Sequence, residues 1–194
     1  MKTIDRYLIK PVGERYNNVK QVGSKKLIIN SEISNHEYIN REAELVVPPI
    51  NSDLKPGDKL IVHHNIFRRW YDVRGVEKNS RSYFKDDLYF CWEDQIFLVD
   101  KGNGWQSYKD FCFVMPLKET NTILGEKEAK LKGLVIYPNS QTNKHDIIGF
   151  TPSCEFEFII NNQRLYRIHS TDISIQYEHK GNEEAYNPSW AQSS

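Results

Sequence analysis

Apolar residues in this chain fall in short runs rich in β-branched and aromatic side chains, broken by Gly, Pro, Asn and Asp. That spacing predicts strands joined by turns, with almost no helix. A first set of strands is expected at Tyr7 to Val12, Ala43 to Val47, Lys59 to His63, Arg69 to Val73, Leu88 to Trp92 and Gln95 to Val99. A second set is expected at Phe111 to Pro116, Leu134 to Tyr137, Asp146 to Phe150, Glu155 to Ile160, Leu165 to His169 and Ile173 to Gln176. Glu155 to Ile160 alternates polar and apolar residues, as a strand with one buried face must. Asn161-Asn162 tolerates positive φ, and Arg164 to Ile168 then resumes the pattern, so this stretch reads as a β-hairpin. Gly125 to Lys130 is too short and too charged to bury a helical face and is expected to be a solvated connection.

The two sets run in the same order, which points to an internal repeat. Leu54-Lys55-Pro56-Gly57-Asp58 leading into Lys59 to Val62 has a counterpart in Asn143-Lys144-His145-Asp146 leading into Ile147 to Phe150. Leu88 to Ile96 faces Leu165 to Ile173, each an apolar strand followed by an acidic turn, with Asp94 or Asp172, and a closing strand. Each copy also opens on a strand running into proline, at Pro11 and Pro116. The expectation is an all-β protein with one domain over residues 1–100, a linker at 101–104 containing Gly102 and Gly104, a second domain over 105–177 and a flexible tail over 178–194.

Composition narrows the partners. The 194 residues carry 26 basic and 26 acidic side chains, so no global field recruits nucleic acid or an anionic membrane. No run approaches the roughly 18 apolar residues of a membrane span, and Met1 to Arg6 lacks the apolar stretch of a signal peptide, so a cytoplasmic protein is expected. Cys91, Cys112 and Cys154 are odd in number and far apart, which suits free buried thiols better than a disulfide framework or a zinc site.

The order of strand, long polar loop, strand, Gly-Asp turn, apolar strand, acidic turn and closing strand resembles the GroES-type co-chaperonin family. Leu54 to Val62 looks like the family's segment in which a Gly-Asp turn delivers the chain into a buried strand, and Trp92 to Val99 like its closing turn and last strand. Val19 to Tyr38 stands where the family keeps a mobile loop, and its Leu27-Ile28-Ile29 matches the aliphatic triplet that enters the chaperonin's apical groove. The resemblance covers about Lys2 to Val99, with a weaker copy over Asp110 to Tyr177. It implies two tandem GroES-like small β-barrels forming a homo-oligomeric ring, a heptamer in the family. That ring caps a GroEL-type chaperonin, binds through Leu27, Ile28 and Ile29, and assists ATP-dependent folding of an enclosed client.

Departures accompany the matches. No long roof hairpin lies between Val47 and Leu54, Phe67 to Asp86 is longer and more aromatic than in the family, and the second copy's loop shrinks to Thr120 to Lys130, keeping Ile123-Leu124. Tandem domains are known in the family and divergent versions occur in viruses of bacteria, which makes a viral capsid protein the suggested client and the bacterial cytoplasm the suggested compartment. A polar loop with only three adjacent aliphatics is expected to fold only on docking.

Other constellations give weaker signals. His63 and His64 at a strand end should point to opposite faces and bind no common metal. His145, Cys154 and His169 show no nucleophile motif, and no Walker-type sequence is present, so no catalytic, cofactor or metal site is expected. Phe67-Arg68-Arg69-Trp70-Tyr71, with Arg74, Lys78 and Arg81 nearby, mixes cations and rings as β-barrel single-strand binders do. Asp72, Glu77, Asp86 and Asp87 dilute that patch. A single-stranded nucleic-acid binder and a structural β-protein of a viral assembly therefore stand as the alternatives. Trp190 in the tail is a candidate contact anchor.

Overall fold

The computed structural model describes residues 2–28, 35–119, 127–179, 181 and 183–186. The chain forms two compact units, Met1–Trp105 and Gln106–Ser194. In chain order the strands begin with β1 (Tyr7–Pro11), β2 (Val19–Val22), β3 (Lys25–Ile28), β4 (Glu42–Val47), β5 (Lys59–Val62) and β6 (Arg69–Tyr71). They continue with β7 (Glu77–Asn79), β8 (Tyr83–Lys85), β9 (Leu88–Cys91), β10 (Ile96–Asp100) and β11 (Trp105–Ser107). The second unit holds β12 (Phe111–Lys118), β13 (Glu128–Tyr137), β14 (Ile147–Phe150), β15 (Phe156–Ile160), β16 (Gln163–His169) and β17 (Ile173–Tyr177). Single 3-10 turns at His36–Tyr38, His64–Ile66, Glu93–Gln95 and Ser170–Asp172 are the helical content of the described residues.

The protein is all-β, and every strand expected from the hydrophobic pattern is present, all within two residues of the expected bounds except β13, which starts six residues before the expected Leu134. The first sheet runs β11-β10-β5-β4-β1-β9-β8 and the second β15-β16-β12-β13-β14-β17. Neither order returns to its first strand, so no hydrogen-bonded barrel closes among the described residues.

Read from opposite ends, the two orders are one plan. β8-β9-β1-β4-β5-β10 matches β15-β16-β12-β13-β14-β17 strand for strand. The registers agree as well: Leu8, Ile9 and Pro11 face Val47, Leu45 and Ala43, while Phe113, Val114 and Pro116 face Tyr137, Val135 and Gly133. Both ladders slip at the same step, between Leu8 and Ile9 and between Phe113 and Val114.

The turns into β5 and β14 share one hydrogen-bond scheme. Asp58 Oδ2 accepts from Lys55 N at 2.8 Å, and Asp146 Oδ2 accepts from Asn143 N at 2.7 Å. The Leu45 and Val135 amides donate to the Asp58 and Asp146 carbonyls, both at 2.9 Å. The turn needs a left-handed residue before the aspartate, supplied by Gly57 at φ +95° and by His145 at φ +73°. Asp86-Asp87 before β9 and Asn161-Asn162 before β16 both take the paired positive φ of a type I′ hairpin turn.

Cores follow from the alternation. Leu8, Ile9, Leu45, Leu60, Phe67, Tyr89, Ile96 and Leu98 are fully enclosed in the first unit, with the Phe67 and Tyr89 rings edge to face at 5.0 Å. Cys112, Val114, Val135, Ile148, Phe150, Tyr166 and Ile168 pack together in the second.

Three local expectations differ. Glu128 to Lys130 opens β13 rather than forming a solvated connection, because the Glu128 carboxylate binds the buried Arg164 at 2.6 Å and the Tyr166 hydroxyl at 2.7 Å. Part of the tail is fixed: Lys118 N donates to Glu184 O and Tyr186 N to Pro116 O, each at 2.8 Å. Past Gly102 and Gly104, whose amides both donate to Asp100 Oδ1, the chain adds β11 to the first sheet, and the division between units falls inside that strand. Trp190 lies outside the described residues.

Candidate functional site

The arm between β1 and β4 is held at its neck. Val12 N donates to Glu42 O at 3.0 Å, Asn40 N to Arg15 O at 2.9 Å and Asn17 N to Tyr38 O at 2.8 Å. The buried Asn40 amide reaches the Val12 and Glu14 carbonyls at 2.8 and 2.9 Å, and its oxygen accepts from Glu42 N. Tyr16 and Ile39, both buried, bridge across the neck. The Tyr16 hydroxyl accepts from Arg69 N at 2.9 Å, and the Arg69 guanidinium lies 4.4 Å from its ring centroid.

Beyond this clamp β2 and β3 pair, among the described residues, with each other alone, as a separate two-stranded sheet. Expected to fold only on docking, the first half of the loop is instead a hairpin. Gly23, at φ +61°, opens a two-residue Gly-Ser turn of the kind that suits hairpin twist. Register sets Val19 opposite Ile28 and places Val22 and Leu27 on the other face. Leu27 is 57% exposed and Ile28 65%, and Val19 and Val22 are exposed too. Neighbouring positions on a strand face opposite ways, so Leu27 and Ile28 present an aliphatic pair on each side of one ribbon. Ile29, Ile123 and Leu124 lie outside the described residues.

The remaining candidates have local structural jobs. His63 and His64 do not diverge: their rings stack at 4.4 Å, because the strand ends at Val62 and the chain turns at once into a 3-10 turn. His36 joins them, 5.3 Å from His64. Burial, then the neighbouring His63 and Arg41, push the His64 imidazole down to about 3. Among the described residues no group of three His, Cys, Asp or Glu side chains is arranged to hold a metal ion.

His145 sits in the turn before β14, and His169 Nδ1 accepts from Thr171 N. Burial pushes all three thiols up, Cys112 to about 12, which makes them poor nucleophiles.

Of the Phe67–Tyr71 patch, Phe67 is core and Arg69 pairs with Glu77 at 3.2 Å, while Trp70 and Tyr71 are exposed. Near it the sequence reading missed a cleft of about 670 Å³. Arg6, Arg68, Arg81, Trp70, Phe90 and Trp92 line it. β1 brings Arg6 alongside Phe90 and Trp92 through its pairing with β9, a long-range register that no local spacing reveals.

No protein-family model matches the chain, and a search of curated proteins finds no match.

Proposed function

We propose that the chain is a docking lid of the GroES co-chaperonin type, in which each sheet curls as a small barrel and copies assemble into a ring. The observation that carries this reading is the β2–β3 hairpin, clamped at its neck yet paired with no other described strand, with Leu27 and Ile28 exposed. A two-stranded ribbon is marginal on its own, and solvent-facing aliphatics on both sides gain stability only when a partner covers them.

Burying a side chain of the Leu27 or Ile28 kind is worth roughly 1.5–3 kcal/mol. Ordering a segment on binding commonly removes about 2–5 kcal/mol of such a gain. The preformed hairpin meets part of that cost in the free protein, leaving a contact that is weak singly and reversible. A ring of copies converts it to avidity, since after one arm docks the next searches an effective concentration on the order of millimolar. The apolar groove belongs to a GroEL-type chaperonin, which also supplies the ATP cycle, and the enclosed client is an unfolded protein of the same cytoplasm. No catalysis is required of the lid.

Co-sedimentation of the purified chain with a bacterial chaperonin double ring, with and without nucleotide, tests the reading. Nucleotide-dependent binding that Ile28→Asp abolishes is the expected result. Absence of binding under both conditions counts against it.

A further inference from the structure

The cleft beside β9 has a chemistry that a lid does not need. Arg6, Arg68 and Arg81 line one concavity, and none has a carboxylate ion pair among the described residues. Four cations elsewhere in the same unit are matched: Lys10 with Glu44, Arg69 with Glu77, Lys78 with Asp72 and Lys101 with Asp53. The lining contains no Asp or Glu. Like charges gathered without counter-charge repel one another, a tension that a bound anion relieves.

The rings are placed as platforms. Trp70 is 48% exposed and its Nε1 donates to Asn79 O at 3.1 Å, which fixes the indole on the β6–β7 hairpin. Trp92 is 45% exposed, and the Arg6 guanidinium lies 3.9 Å from its ring centroid. Ser82, Asn65 and Gln95 add hydrogen-bonding groups at the wall, and the volume falls within the roughly 300–1,000 Å³ typical of ligand sites. Guanidiniums bind phosphate by paired donors, and exposed indoles stack planar bases whatever their sequence.

We propose that this cleft binds a phosphate joined to a planar base, either a free nucleotide or one or two residues of a single strand. The second unit shows what the site requires. There Phe111 and His169 occupy the positions of Arg6 and Trp92, with rings 5.3 Å apart, and Arg167 takes the place of Phe90, its guanidinium 5.2 Å from the Phe111 ring. The cation and ring have exchanged places, and between β14 and β15 there is no counterpart of the β6–β7 hairpin that carries Trp70. One arginine and no tryptophan remain, so binding belongs to the first unit alone.

The test uses the full chain, titrated with an oligo-dT of eight residues in one arm and with dTMP and ATP in the other, read by quenching of tryptophan fluorescence. Binding of the oligomer or of a mononucleotide supports the site and identifies the source of the ligand. With one or two phosphates neutralised, the logarithm of oligomer affinity should fall with that of salt at a slope between about −0.7 and −1.4, from roughly −0.7 per contact. Arg81→Gln and Trp92→Ala should each weaken binding about tenfold, Arg81 being exposed and its side chain making no hydrogen bond or ion pair among the described residues. Ile28→Asp, which is not part of the lining, should leave it unchanged, so this site and the docking arm fail separately. Absence of quenching with all three probes overturns the proposal, as does equal binding of poly-glutamate, which would mark a general anion or acidic-peptide surface.

Discussion

The two units share a strand plan, a bulge position and a turn chemistry, yet they spend the same junction differently. Where β1 meets β4, pairing ends at Pro11 and Ala43 and the chain opens into the neck and the exposed hairpin. Where β12 meets β13, pairing runs on to Lys118 and Glu128, and Glu119 N still donates to Lys127 O at 2.8 Å. In the second unit the junction is closed by Arg164, whose guanidinium binds Glu157 at 2.7 Å, Glu128 at 2.6 Å and the Tyr166 hydroxyl. Burial opposes the charge of Arg164, but the two carboxylates outweigh it and hold its pKa above the ordinary value. Among the described residues, one scaffold thus leads into an exposed hairpin in one copy and into a longer paired junction bound to Arg164 in the other, and the docking role proposed above falls on the first.

The largest expected effect tests whether the units are separable. Leu45 and Val135 hold the same register position, so Leu45→Ala should destabilise the first unit by about 2–5 kcal/mol, through lost burial and a residual cavity. Calorimetry should show one transition lowered by roughly ten degrees or more and the other fixed. A single transition shifting as a whole would merge the two units into one cooperative structure.

The next effect is functional. Ile28→Asp should weaken ring binding at least about a hundredfold, since a charge must enter an apolar groove, with the thermal midpoint unchanged for so exposed a residue. A midpoint several degrees lower would instead mean that Ile28 is packed in the folded chain. The same change at Ile123 or Leu124 should leave ring binding intact; equal loss there would remove the functional asymmetry between the copies.

Arg164→Ala should cost about 1–3 kcal/mol in urea unfolding. This is below the penalty for a fully buried pair, because the Glu128 and Glu157 side chains are partly solvated. An unchanged midpoint would show that the longer paired junction does not depend on the ion-pair network.

The smallest effect is on pH dependence. The folded state holds His64 near 3 while an unfolded histidine titrates near about 6.5. Above that range both states are neutral. As pH falls below it the unfolded chain takes up a proton that the folded chain refuses, so stability declines progressively toward pH 3. Comparing unfolding midpoints at pH 7 and 5, His64→Gln should show a shallower decline than the parent chain. Identical slopes would remove His64 from the acid response.

Legibility in the sequence followed burial. Strands that build a core, such as Leu88–Cys91 and Ile96–Asp100, announce themselves because alternate or continuous apolar positions must be enclosed. β3, β7 and β8 are exposed at every position and carry no such imprint, so they were invisible to periodicity. Gly23-Ser24 is a readable turn signal for the arm hairpin, whereas Leu27 and Ile28 stand out in the sequence through the resemblance of Leu27-Ile28-Ile29 to a family's aliphatic triplet and through their polar flanks. The equivalence of Gly57 and His145 shows why the repeat is faint: one backbone conformation is met by two unlike residues. The cleft was the least legible feature, since Arg6 and Trp92 meet only through the β1–β9 ladder.

Amide hydrogen exchange of the full chain, alone and bound to a chaperonin double ring with nucleotide, tests the central claim most directly. The account predicts slowed exchange on binding across the arm, residues 19–28 above all, and none along the β12–β13 junction. Protection at that junction, or an arm whose exchange does not change in a complex that demonstrably forms, would contradict it.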